Sequence, residues 1–131
     1  MNESTFWQAL KKDIGGRIYS WKINARFVAG VPDSWFSGMD TDLWCEMKYV
    51  QTMPPLINPT NLLSPRQMAW LEARYKEGRN TSVLIGSPEG CVMFWGDSWK
   101  EPLDREEFRM DCCWTRKNIA NEIVRFCGAK Q

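Results

Sequence analysis

Within the apolar run DLWCEMKYV, residues 42 to 50, Glu46 and Lys48 stand two positions apart, and the run GVPD places another acid, Asp33, directly after a proline. In an extended segment residues i and i+2 share a face, so Glu46 and Lys48 project together while Cys45, Met47 and Tyr49 project to the other side. If the segment beginning at Asp33 pairs with this run as a hairpin, the two carboxylates come within reach of each other. Two carboxylates that close repel, and one keeps its proton at neutral pH unless a cation joins them. A divalent metal removes that conflict. Mg²⁺ binds through one or two carboxylates and keeps places for waters and phosphate oxygens. A water activated by such a cation beside Lys48 is set to attack a phosphodiester.

What the chain lacks narrows the chemistry further. Its 131 residues include no histidine, which removes Ser/His/Asp and Cys/His catalysis, His-ligated zinc and every nuclease whose general base is an imidazole. The five cysteines, Cys45, Cys91, Cys112, Cys113 and Cys127, are odd in number and lack CxxC spacing, so reduced thiols are expected. No uncharged apolar stretch is long enough to span a bilayer, and the N-terminus lacks the basic start and apolar block of a secretory leader; a cytoplasmic location is expected. The net charge is +1, but it is unevenly spread. Residues 33–48 hold four acids against one base, whereas residues 1–32 hold five bases against two acids. That pattern fits a basic rim around an acidic, cation-filled site, with Lys22, Arg26, Arg66 and Arg74 as candidates for contacts to the phosphates of a polyanion.

The elements that must position these groups can be read from periodicity. Phe6, Leu10 and Ile14 recur at helical spacing from Glu3 and stop at Gly15-Gly16. RIYSWKI (17–23), PDSWFSG (32–38) and DLWCEMKYV (42–50) read as three strands, the last two joined by a turn over 38–41. QTMPPLINPTNLL, with three prolines, reads as a connecting loop. SPRQMAWLEARYKEG then carries a full set of helix signals: Ser64 as N-cap, Pro65 at the first position, Gln67 closing a capping box and Gly78 past the end. TSVLIGS and CVMFWG read as two further strands around a turn. DREEFRMDCC reads as a short helix, and TRKNIANEIVRFCG as a longer one with Ile119, Ile123 and Phe126 on its inner face. The expected fold is therefore α/β (α+β): a central mixed five-stranded sheet flanked by helices, in one domain over 1–131. Trp7, Trp21, Trp44 and Trp70 fall on faces expected to be buried, while Trp35, Trp95, Trp99 and Trp114 are candidates for stacking on unpaired bases or for a dimer contact.

GVPD followed by WCEMK resembles the signature of the PD-(D/E)xK nuclease superfamily. The stretch LSPRQMAWLEARYKEGRNTSVLIGS is similar to the segment that follows the lysine in its VRR-NUC and Holliday-junction-resolvase-like members, often phage-encoded, and ESTFWQALKK to their opening helix. The resemblance covers roughly residues 3–95; residues 96–131 then read as a C-terminal helical extension. It implies a restriction-endonuclease-like core in which Asp33, Glu46, the main-chain carbonyl of Met47 and the helix-borne Glu3 hold Mg²⁺, with Mn²⁺ as a substitute. It further implies that Lys48 orients or activates water and that Gln67 positions water or phosphate, giving 5′-phosphate ends.

On this basis the chain is expected to be a Mg²⁺-dependent DNA endonuclease selective for branched DNA, acting as a homodimer through its surplus tryptophans and C-terminal apolar face. A sequence-specific endonuclease of restriction or homing type and a non-catalytic DNA-binding module remain as alternatives. Each site residue also has a plainer reading. Glu46 and Lys48 suit an exposed ion pair, Gln67 a capping box alone, with the cap and the site competing for one amide, and Glu3 a first-turn acid favoured by the helix dipole.

Overall fold

In the computed structural model, which describes residues 1–24 and 28–130, the first helix α1 spans Glu3–Ile14. Asn2 and Thr5 exchange side-chain and main-chain hydrogen bonds in a capping box, and Gly15 ends the helix at a positive φ of 62°. The spacing of Phe6, Trp7, Leu10 and Ile14 makes one buried stripe. Strands β1 (Tyr19–Lys22), β2 (Ser34–Ser37) and β3 (Asp42–Tyr49) form an antiparallel meander. Strand β5 (Thr81–Ser87) runs parallel to β3 and is followed by antiparallel β6 (Gly90–Trp95), which gives a mixed sheet in the order β1-β2-β3-β5-β6. Parallel neighbours need a crossover. Here it comprises residues 50–80, including a two-residue strand β4 (Leu56–Ile57) and helix α2 (Pro65–Lys76).

Alternation along the strands sorts two cores onto the two faces of the sheet. Cys45, Met47 and Leu84 pack with Phe6, Leu10 and Ile14 of α1 and with Ile119, Ile123 and Val124 of the last helix, α4 (Arg116–Cys127). Val83, Ile85 and Phe94 pack on the opposite face with Leu71 of α2, Met53, Ile57 and Phe108. Thr81–Ser87 is buried along its whole length, as expected of a strand between two neighbours and beneath layers on both faces.

Several expectations need correction. The proline-rich segment is not wholly loop, because β4 pairs with β7 (Leu103–Asp104) and Arg105 N–H closes onto the Pro55 carbonyl. The short helix over DREEFRMDCC is a single turn, α3 (Arg105–Glu107), that widens into a π turn over Phe108–Cys112. Phe126 is not on the inner face of α4; that face is Ile119, Ala120, Ile123, Val124 and Cys127, while Phe126 lies against Trp95 at the surface. Trp21 is 48% exposed, because β1 is an edge strand and none of the described helices covers its α2-side face; Trp44 and Trp70 are half-buried. The apolar face of α4 is filled by α1 and the sheet, so it is not the dimer surface expected of it. The cysteines are free thiols, with Cys45, Cys91 and Cys127 buried. No helix among the described residues is long and apolar enough to cross a membrane.

Candidate active site

Strand β2 starts at Ser34, opposite Cys45, so β3 continues past it with only β5 alongside. Asp33 sits at this fork. Its main chain still closes the β1–β2 ladder, accepting from Ile23 N–H at 2.8 Å. Its carboxylate Oδ1 accepts from Met47 N–H at 3.0 Å, and its own N–H donates to Glu46 Oε2 at 3.1 Å. The two acids are thereby pinned to each other's backbone. The loop before Asp33 lies flat on α2: Gly30 has φ +87°, and a Cβ there would meet the Arg66 carbonyl oxygen at 2.3 Å. Only glycine fits both the angle and the approach.

Glu46 is 3% exposed and accepts from a second element. Gln67, in the first turn of α2, donates from Nε2 to Glu46 Oε1 at 2.9 Å, while its Oε1 accepts from Ser64 N–H at 2.9 Å. Cap and site therefore do not compete, because they use opposite ends of one amide. The cap also fixes the orientation of that amide: a main-chain N–H must face the oxygen, so the NH₂ must face Glu46. Lys48 Nζ approaches the same Glu46 Oε1 at 3.7 Å and is mostly buried, unlike the exposed pair of the plainer reading.

Burial dominates the electrostatics. It pushes Asp33 up to about 6, against the lowering effect of the Met47 N–H. It pushes Glu46 up to about 8, with the charge of Asp33 adding to the rise and Lys48 opposing it. Glu3 is exposed on the first turn of α1, near enough for its charge to raise both acids but outside their hydrogen-bond cluster. Lys22, also exposed, lines a small cleft with Glu3, Trp7, Asp33 and Met47 and opposes the rise at Asp33. Arg66 is exposed on the first turn of α2. Arg74 stacks over Trp70 at 5.6 Å and pairs with Glu77. Arg26 lies outside the described residues.

The donor set fits a hard cation. It is all oxygen, largely desolvated, and mutually repelled in a way that a dication relieves. Among the described residues no third acidic, histidine or cysteine side chain closes the group into a cage. An open two-carboxylate site of that kind leaves places for water and phosphate.

The sequence alone marks Trp35 as a ring that could stack on unpaired bases, but not that it lines up with Trp44 in one row beside the site. Trp44 precedes Glu46 by two residues and Trp35 follows Asp33 by two, so strand parity puts both rings on the face that carries Glu46. Period-two counting outward from the acids would have found them.

A mixed five-stranded sheet with helices on both faces defines a restriction-endonuclease-like α/β (α+β) fold, and the acid pair sits where its second and third strands part. The particular likeness is to Archaeoglobus fulgidus Hjc, a Holliday junction resolvase from an archaeal hyperthermophile, with a TM-score of 0.51 and 15% identity over 90% of this chain and 99% of that one. At that identity the likeness is one of fold, and it does not single out the VRR-NUC branch. No protein-family model and no curated protein matches the chain.

Proposed function

We propose that the chain is a Mg²⁺-dependent endonuclease that hydrolyses DNA phosphodiester bonds, with branched DNA as its substrate and 5′-phosphate ends as its product. The observation that carries this reading is the interlocked cluster of Asp33, Glu46, Lys48 and Gln67, joined by the hydrogen bonds and ion pair described above. Asp33, Glu46 and the Met47 carbonyl would hold the cation, with Glu3 as a helix-borne acid at the rim. Bound there, Mg²⁺ supplies Lewis acidity toward the phosphate and lowers the pKa of water. Gln67 holds the Glu46 carboxylate in one orientation. Lys48 offers hydrogen bonds to the attacking water or to a phosphate oxygen at the mouth of the site. Lys22 and Arg66 take up flanking phosphates, with Arg74 further along α2. Branched DNA is preferred over a linear recognition sequence because the fold is that of a protein named as a Holliday junction resolvase. A two-fold substrate suits a homodimer, whose mass would be read by light scattering at micromolar concentration.

The test compares a four-way junction, a flap and a linear duplex under Mg²⁺, Mn²⁺, Ca²⁺ and excess chelator. Mg²⁺ and Mn²⁺ should support cutting of the branched substrates, and chelator should abolish it. Full activity in chelator would end the mechanism, and a linear duplex cut at one sequence while junctions stay intact would replace the substrate class.

A further inference from the structure

On the face of the sheet that carries Glu46, five aromatic rings form a connected row from the acids to the free edge. Trp70 of α2 meets Trp44 at 5.3 Å between ring centroids, Trp44 meets Trp35 at 6.1 Å, and Trp35 meets both Trp21 at 6.4 Å and Tyr19 at 6.1 Å. The inner rings are half-buried, but Trp21 and Tyr19 at the edge are 48% and 57% exposed. Rings of this size that served only the core would not be left open at the end of the row.

The composition of the row indicates its occupant. The inner end of the row carries cations of α2: Arg74, paired with Glu77, lies over Trp70 at 5.6 Å, and Arg66 is exposed on the first turn of the same helix, whereas Lys22, next to Trp21 in β1, projects to the other face of the sheet. Aromatic faces with basic groups at one end suit a nucleic-acid strand, in which bases stack on the rings and phosphates meet the cations. A second copy of the chain fits less well. Two half-exposed rings offer roughly 200 Å² between them, against about 500 Å² per partner for the smallest specific interfaces. Position argues the same way. Trp35 and Trp44 are each two residues from a site carboxylate, so a strand leaving the cut passes onto them before reaching Trp21 and Tyr19.

We propose that the row Tyr19–Trp21–Trp35–Trp44 is a stacking platform for unpaired DNA bases next to the cut, so that the substrate carries a single-stranded segment at the cleavage point. The proposal rests on the nuclease reading of the adjacent acids and makes it narrower. In a fully paired duplex the bases are stacked on one another and unavailable to the rings; in a flap or an opened junction arm they are available.

Binding and cutting are measured separately. In excess chelator, anisotropy of labelled DNA compares a single strand, a flap and a blunt duplex of equal length, using wild type, Trp21→Leu, Tyr19→Leu and the ring-retaining Trp21→Phe. Both substituted rings are exposed, so the fold should survive, and thermal melting checks this. The leucine variants should bind the single strand and flap about tenfold or more weaker, a loss in the range found for base–aromatic stacks. Blunt-duplex binding should stay unchanged, and Trp21→Phe should retain most of the affinity. Unaltered single-strand binding in the leucine variants would overturn the proposal. So would equal losses on all three DNAs, or a wild-type dimer that dissociates in Trp21→Leu. Flap cleavage by wild type in Mg²⁺ is scored alongside: its absence refutes the nuclease reading, whereas its presence with unaltered variant binding refutes only the platform.

Discussion

Asp33 and Lys48 contact the same carboxylate but have different tasks in the proposed mechanism, so their loss should show differently. Lys48→Ala removes the group at the mouth of the site and leaves both acids, so cleavage should fall about 10²- to 10⁴-fold, roughly 3–5 kcal/mol of barrier, with DNA and metal binding kept. Asp33→Asn keeps the acceptor for the Met47 N–H but removes a charge, so Mg²⁺ affinity should fall and high Mg²⁺ should recover part of the rate; calorimetric titration beside a cleavage assay separates the two patterns. The same acids predict a pH dependence. In the cation-free protein Asp33 is raised from 3.8 to about 6 and Glu46 from 4.5 to about 8. Both folded values exceed the unfolded ones, so the folded state binds these protons more tightly. The pair's contribution to stability is full below the unfolded values and is lost as pH rises through about 6 to 8. Mg²⁺ favours the ionised pair, so the gain in melting temperature on adding millimolar Mg²⁺ should be larger at pH 8 than at pH 5. A gain independent of pH would place the cation elsewhere.

At the scale of elements, the first turn of α2 acts as a positioning device. Ser64 Oγ accepts from Gln67 N–H at 3.1 Å, and the Gln67 amide bonds back to Ser64 N–H while holding Glu46. The two halves of this capping box can be separated by mutation. Ser64→Ala removes the hydroxyl but not the main-chain N–H that orients the amide; it should cost about 1 kcal/mol of stability and leave the cleavage rate near wild type. Gln67→Ala frees the Glu46 carboxylate and should lower the rate about 10- to 100-fold, as loss of an orienting partner usually does. Denaturant melts and single-turnover cleavage on both variants check this, and equal rate losses would mean that the cap as a whole, not the amide, supports the site.

At the scale of the whole molecule, the segment beyond Trp95 is part of the core rather than an appendage to it. Helix α4 buries Ile119, Ala120, Ile123, Val124 and Cys127, chiefly against α1 and the sheet. Its C-terminal end is tied to the β2–β3 turn, where Met39 N–H donates to the Gly128 carbonyl at 2.8 Å and Asp40 N–H to that of Cys127 at 2.9 Å. Gly38 lies so close that a Cβ would meet both carbonyl oxygens at 2.4 Å. Large apolar side chains are worth roughly 1.5–3 kcal/mol each when buried, and a domain's whole stability is about 5–15 kcal/mol. A chain ending at residue 115 should therefore lose its cooperative thermal transition and its dispersed amide spectrum. A folded 1–115 fragment would show that the α1 face tolerates exposure.

Local signals determined much of this protein. Helix α1, the capped α2 and the five main strands follow from periodicities and caps written in neighbouring residues, and the proximity of Glu46 to Lys48 follows from strand parity alone. Asp33 could be placed beside Glu46 because a hairpin of known turn position allows one register. Gln67 could be placed at the first turn of a helix, but not aimed at Glu46, because the part of the crossover between β3 and α2 spans residues 50–64 and no local rule sets where it delivers the helix. The exposure of Trp21, the outward turn of Phe126, the pairing of β4 with β7 and the filling of the α4 face were likewise decided by tertiary structure. Each depends on which element lies across a face, and that is a property of contacts between residues far apart in the chain.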